Sequence, residues 1–305
     1  MLKSNRRDFL KFAGIAGATS ALGLTFSLPS SRISAQQPEG MQGTVTIIPT
    51  AVGHIHTYTA PDVSSRVTTH IIETADSLVL IDAQLFKPFG AEAAAYAASL
   101  GKPIDRIILS HDHPDHWYGA ESFDAPLVAT ATSAGLIQEA VESGSAASQA
   151  SSFGDLAATE FRVPEVGVEL GSETIAGINF EFSAIENAEA VENLVVLVPE
   201  AKTAILQDLM YNAVYFFPGL NRPNWIAALE DMRTSLKADG YEIILPGHGV
   251  PTTLGTLDTG IEFLQFLDEQ FNTADSGEAV AEAIVARYPS FDGAGLLPFY
   301  SLFFQ

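Results

Sequence analysis

Apolar positions along the chain fall into two strand-rich stretches, each interrupted or followed by segments of helical period. From Thr44, TVTIIPTAV and then RVTTHIIETADSLVLIDAQ are rich in β-branched residues, and the turn from Thr74 to Ser77 predicts a hairpin. GAEAAAYAASLG (90–101) predicts a helix closed by Gly101, and IDRIILS (104–110) a buried strand behind it. APLVAT (125–130) predicts a further strand, 131–142 a helix, and the Ser-, Ala- and Gly-rich 143–160 a mobile segment or loop. The second strand-rich stretch reads FRVPEVGVEL (161–170), ETIAGINFEFSAI (173–185), ENLVVLVPE (192–200) and TAILQD (203–208), with Gly171 and Gly177 at turns. A helix over 224–240, a strand over 241–249 and helices at about 255–273 and 276–288 complete the pattern. Two such halves predict an α/β fold with two sheets face to face and helices outside, a four-layer αββα sandwich.

The first 35 residues stand apart from this pattern. Asn5-Arg6-Arg7-Asp8-Phe9-Leu10-Lys11 resembles a twin-arginine export signal, lacking only the usual Ser or Thr before the arginines. An Ala/Gly-rich stretch from Phe12 to Leu28 follows, and Ile33-Ser34-Ala35 offers a cleavage point before Gln36. The expected organisation is a signal peptide over 1–35, a linker over 36–43 and one folded domain over 44–305. The resemblance implies the twin-arginine export machinery as a partner and a periplasmic or secreted location. That route carries folded proteins, which suits a cofactor inserted before export.

Charge and cysteine content narrow the chemistry. Of 15 basic and 37 acidic residues the presequence holds five and one, so the remainder has 10 against 36, a formal charge of −26. Such a surface repels phosphate backbones and anionic bilayers, so neither nucleic acid nor, after signal removal, a membrane is an expected partner. The chain has no cysteine, which excludes disulfides, thiolate ligands and a cysteine nucleophile. A transition-metal site must therefore be built from His, Asp and Glu.

Those residue types concentrate in LSHDHPDHWYG (109–119), where His111, His113, Asp115 and His116 fall within six residues behind an apolar strand. His111 and His113 are two apart, so in extended chain both imidazoles point the same way. Pro114 then turns the chain, and Asp115 and His116 can face a second metal ion a few ångströms away. The location at the C-terminal end of a buried strand is where open sheets bind ligands.

His111-Asp112-His113-Pro114-Asp115-His116 matches the His-x-His-x-Asp-His signature of the metallo-β-lactamase-fold hydrolases, and the resemblance extends over most of the chain after residue 43. LVLIDAQ resembles the motif ending in an acid that supports the metal loop, here Asp82. AILQDLMYN resembles the strand whose acid bridges two metals, here Asp208, and ILPGHG supplies His248. The third motif departs: the usual Gly-His-Thr is replaced by AIENAEAVENLVVLVPE, without a histidine. Counting back from Pro199-Glu200 puts Glu189 at the ligand position, with Glu186 and Glu192 as alternatives, and its setting is similar to the alkylsulfatase branch. A carboxylate binds Zn²⁺ at about the same distance as an imidazole, near 2.0–2.2 Å.

The resemblance thus implies His111, His113 and Glu189 on one metal, Asp115, His116 and His248 on the other, and Asp208 between them. Two Zn²⁺ are the leading cofactors, with Mn²⁺ or mixed occupancy the alternative. The implied reaction is attack by metal-activated water on an ester, lactone or sulfate-ester bond of a small-molecule substrate, with Asp115 also moving the proton. A β-lactamase, a glyoxalase-like thioesterase and a catalytically inactive metal-binding interaction protein are the rivals. His54, His56, Trp117, Tyr211 and Asn212 are candidates for substrate contact. Tyr215 and the lone Arg222 of PGLNRP stand beside them.

Overall fold

The computed structural model describes residues 34–304. The first strands run β1 (Ser34–Gln36), β2 (Thr44–Thr50), β3 (Gly53–Thr59), β4 (Thr68–Glu73) and β5 (Leu78–Ile81), an antiparallel meander. Helix α1 (Lys87–Ser99) crosses to β6 (Ile104–Ile108), which lies parallel to β5. The short α2 (Pro114–Trp117), β7 (Leu127–Ala129), α3 (Ala131–Glu142), α4 (Ser145–Ala150) and β8 (Glu165–Val166) complete an eight-stranded sheet in sequence order. The second sheet holds β9 (Gly171–Ile175), β10 (Ile178–Glu186), β11 (Glu192–Val198), β12 (Thr203–Tyr211), β13 (Ile243–His248) and β14 (Thr252–Thr253). Helix α5 (Arg222–Ala238) joins β12 to a parallel β13. Helices α6 (Thr256–Thr273), α7 (Gly277–Arg287) and α8 (Phe299–Phe303) follow.

Central strands are apolar on both faces because each face meets a different layer. Val79 and Ile81 of β5 point between the sheets, where they meet Ile108, Phe180, Phe182, Val196, Ile205 and Leu245. Leu78 and Leu80 point the other way into the layer under α1. On the far side Ala204 and Leu206 of β12 pack with Trp225, Leu229, Phe263 and Leu264 of the C-terminal helices. The architecture is the expected four-layer αββα sandwich. Two of its parallel pairs, β5/β6 and β12/β13, bring four strand ends to one edge of the molecule.

Two local expectations need correction. The segment 143–160 folds as α4 and a short 3-10 helix (Ser151–Leu156), because Ala146 and Ala150, one helical turn apart, bury against the core. FRVPEVGVEL keeps only the two-residue β8: Arg162 is turned aside to donate to the carbonyls of Ala120, Phe123 and Ala125. The twin-arginine motif lies outside the described residues. Ser34–Gln36, which spans the expected cleavage point, pairs antiparallel with β2.

Candidate metal centre

The His-rich loop leaves β6 at the edge where the parallel strands end. Asp82, just past β5, adopts a left-handed backbone (φ 62°) and aims its carboxylate at this loop. Its Oδ1 accepts from the Ser110 backbone N–H at 2.8 Å, and its Oδ2 from the Ser110 hydroxyl and His116 Nδ1, both at 2.7 Å. Gln207 Nε2 also donates to Oδ2 from the opposite sheet. Pro114 opens α2 with His113 as its cap, and this single turn brings Asp115 and His116 round to the same centre as His111.

The other donors arrive separately. Glu189 lies in the loop between β10 and β11, fully buried, with Oε1 3.0 Å from His113 Nδ1 and Oε2 3.6 Å from His111 Nε2. Asn193 Nδ2 donates to Glu189 Oε2 at 2.9 Å and fixes its orientation. Asp208 stands between the two groups, 3.8 Å from His111 Nε2, 3.1 Å from His116 Nε2 and 3.4 Å from His248 Nε2. Its approach to β13 requires Gly247, where an added Cβ would come within 1.8 Å of Asp208 Oδ1. Of the three glutamates considered for the third motif, only Glu189 meets the histidines. Glu186 is exposed, and Glu192 turns to the hydroxyl of Thr130.

The donor set fits divalent cations. His111, His113, Glu189 and Asp208 offer four atoms within 4.8 Å of one another, and so do Asp115, His116, Asp208 and His248. His111 Nε2, His116 Nε2, His248 Nε2, Glu189 Oε1 and Asp208 Oδ1 are buried without a hydrogen-bond partner. Each of the three imidazoles has its Nδ1 engaged on the outer side, by Ser110 Oγ, Asp82 and the Ser65 carbonyl. Nδ1–H is thus the donor, leaving the Nε2 lone pair facing inward, the tautomer that metal ligation uses.

Electrostatics agree with a centre that calls for positive charge. Burial opposes ionisation of Asp115 and Asp208, yet His116 and His248 together offset it and hold both well below the usual carboxylate range. Burial likewise opposes charge on His113 and His248, but Glu189 and Asp208 respectively push them up to about 9. Burial raises Glu189, with His113 offsetting part of the effect.

The expected substrate contacts fare unevenly. His54 and His56 do share a face, but it is the face under α1, at the end of β3 away from the metal loop. Both contact Glu73, and His56 Nδ1 meets the Tyr96 hydroxyl at 2.8 Å. Trp117 is core rather than pocket wall: it is buried among Tyr118 and Phe161, its indole N–H given to the Asp112 carbonyl. Asn212 is engaged with the Val250 carbonyl and Tyr215 with that of Tyr288, while Arg222 pairs with Asp268. Tyr211 is at the centre, where its hydroxyl donates to Asp208 Oδ2 at 2.6 Å, and it is an anchor for that acid. Sequence reasoning missed Ser110, Gln207 and Asn193. Adjacency to Asp208 was the one available signal for Gln207, whose left-handed backbone (φ 44°) inside a strand is unreadable from residue type.

Comparison with known proteins fits this geometry. Residues 65–186 match the metallo-beta-lactamase superfamily, and residues 3–23 match a TAT (twin-arginine translocation) pathway signal sequence. A metallo-beta-lactamase from Pontibacter korlensis superposes with a TM-score of 0.54 at 16% identity, covering 77% of this chain and 99% of that one. The stereoselective inverting sec-alkylsulfatase Pisa1 from Pseudomonas sp. gives 0.54 at 20% identity over 74% of this chain, which spans only 43% of that protein. The metallo-beta-lactamase FIM-1 from Pseudomonas aeruginosa, in its mono-zinc form, gives 0.52 at 17% identity over 72% of this chain and 95% of that one. At these identities the likeness is one of fold. No helix among the described residues is long and apolar enough to cross a membrane. The histidine loop lies inside the segment, residues 65–186, that matches the metallo-beta-lactamase superfamily, and the signal sequence ahead of it addresses the chain for transport across the membrane.

Proposed function

We propose that the protein is an exported hydrolase holding two divalent cations, Zn²⁺ foremost, and that it cleaves an ester, lactone or sulfate-ester bond of a small molecule. The observation that carries this reading is the set of five buried donor atoms, from five residues on both sheets, that face one another without hydrogen bonds. His111, His113 and Glu189 would hold one cation, Asp115, His116 and His248 the other, with Asp208 shared. Cations bound there supply Lewis acidity that polarises a substrate oxygen and acidifies water. The chain's own groups do the rest. Asp115 is one of two exposed members of the set, at 22% of its side chain, and its Oδ2 lies 3.2 Å from His248 Nε2. It is the carboxylate best placed to take a proton from water entering from solvent. Asp82 and Ser110 keep His116 and His111 in the required tautomer, and Tyr211 holds Asp208.

The Glu-for-His exchange at Glu189 favours ester-type substrates over β-lactams, because a second carboxylate lowers the Lewis acidity of the cation beside it. The test is a screen of zinc- and manganese-loaded protein against aryl esters, lactones, alkyl sulfates and nitrocefin, alongside elemental analysis. Turnover of an ester-type substrate with about two metals per chain is expected. Fewer than about 1.5 metals per chain would overturn the binuclear assignment. Two metals with no turnover of any class would leave a metal-binding interaction protein.

A further inference from the structure

Of the seven donor residues, His113 and Asp115 are the two with appreciable exposure, at 23% and 22% of their side chains. Solvent, and a substrate, reach the centre past them. What stands beside His113 is aromatic. The Phe217 ring meets the His113 imidazole edge-on at 5.2 Å between centroids, and itself contacts Phe299 at 5.3 Å and Phe303 at 5.1 Å. Phe299 and Phe303 are one turn apart on α8, so both rings face the same side of that short helix.

This wall is built into the fold. Tyr300, fully buried between the two rings in sequence, donates its hydroxyl to the Phe216 carbonyl at 2.8 Å. Gly277, at the start of α7, has no room for a Cβ because the Ser301 backbone lies 2.4 Å from that position, so α8 seats directly on α7. The loop carrying Phe217 is tied to the Glu189 loop, since the Leu220 N–H donates to the carbonyls of Ala188 at 2.9 Å and Glu189 at 3.2 Å. Leu220 is 49% exposed and Leu302 on α8 is 71% exposed, which extends apolar surface on these two segments.

The same loop offers no charge to an anionic group. Arg222 is engaged by Asp268 at 3.0 Å and by the Pro218 carbonyl at 3.2 Å, and it lies over the Phe271 ring at 4.1 Å. An uncharged, apolar substituent is therefore the part of a substrate that gains from lying on this side.

We infer that Phe217, Phe299 and Phe303 form a specificity wall beside His113 that binds an aryl or medium-chain alkyl group of the substrate, placing its scissile bond over the donor cluster. The inference rests on the hydrolase reading and names its substrate class. Its test uses hydroxamates, which chelate zinc through one end and present a tail of chosen length. Binding of acetohydroxamate and octanohydroxamate to zinc-loaded protein is measured by calorimetry, so turnover is not required. The octanoyl probe should bind at least about tenfold more tightly. In Phe303→Ala and Phe217→Ala, with zinc content and thermal midpoint checked, that ratio should fall to below about threefold. Equal binding of the two probes to the unmutated protein would overturn the wall while leaving the metal reading intact, whatever the variants do. Failure of both probes to bind the zinc-loaded protein would overturn the metal reading, and the wall with it.

Discussion

Two His-x-His pairs lie in this chain with identical spacing and opposite surroundings. His54 and His56 sit within β3, in regular antiparallel pairing with β2 and β4. Their side chains meet ordinary partners, Glu73 and Tyr96, and Glu73 is further neutralised by Lys102 at 2.9 Å. His111 and His113 follow the end of β6, where the backbone is released from the sheet and can turn at Pro114. Around them stand Asp115, Glu189 and Asp208, whose ion-pair contacts among the described residues are with imidazoles, and the Nε2 of His111 has no hydrogen-bond partner. The spacing puts two imidazoles on one face in both cases. What separates a structural pair from a candidate ligand pair is the unfilled bonding capacity around it, and that depends on where the strand ends.

The sharpest way to break this contrast is to remove each pair. The double variant His111→Ala/His113→Ala should lose at least one metal per chain and reduce hydrolysis by about a thousandfold or more. His54→Ala/His56→Ala should keep its full metal content, with only a stability loss of roughly 1–3 kcal/mol from the buried His56 contacts. Equal metal loss in both, by elemental analysis after gel filtration, would dissolve the distinction.

Next in size is the donor that is not a histidine. Glu189→Ala should lose about one metal per chain and most hydrolysis, because its carboxylate is the third group facing His111 and His113. Unchanged stoichiometry would remove Glu189 from the set. Gln207→Leu should act less strongly, weakening zinc affinity by about 10- to 100-fold through Asp82 and His116 rather than through a lost ligand. Competition with a chromogenic chelator measures it, and an unaltered affinity would make Gln207 a packing residue only.

How far the sequence announced this centre follows from how its parts are distributed. His111, His113, Asp115 and His116 were legible because one strand end and one turn carry all four, so local spacing contains their geometry. Asp208 and His248 were legible through the resemblance of whole strand motifs, since each closes an apolar run that ends at the same edge. Glu189 was legible only as one of three glutamates, and its selection depends on the course of the loop between β10 and β11 and on Asn193. The supporting residues were invisible for a different reason. Ser110, Gln207 and Asn193 act across the gap between sheets or onto a neighbouring acid, and no local pattern encodes a contact between residues 82 and 207. Sequence adjacency was equally weak as a guide for Trp117, which adjoins the cluster but whose ring the turn at α2 sends into the core.

His70, the one histidine outside both pairs and outside the donor groups of the metal centre, gives the smallest and cleanest test. It is fully buried between the sheets, with Nδ1 accepting from the Thr57 hydroxyl at 2.9 Å and Nε2–H donating to the Pro246 carbonyl at 3.0 Å. That carbonyl lies two residues before His248, so His70 fastens the meander to β13 near the centre. Both bonds suit the neutral ring, and burial lowers its pKa from 6.5 to about 4. Above pH 6.5 neither the folded nor the unfolded ring is charged, and His70 adds no pH dependence. As pH falls below 6.5 the unfolded chain takes up a proton that the fold refuses, so stability is lost until about pH 4, where the folded ring protonates as well. Between pH 7 and pH 5 this single group should lower unfolding free energy by about 2 kcal/mol. His70→Gln, starting from a lower stability, should show a correspondingly shallower decline in urea denaturation over that interval. Parallel declines in the two proteins would mean that His70 is already protonated in the fold, and that the layer between the sheets is as open to charge as the metal edge.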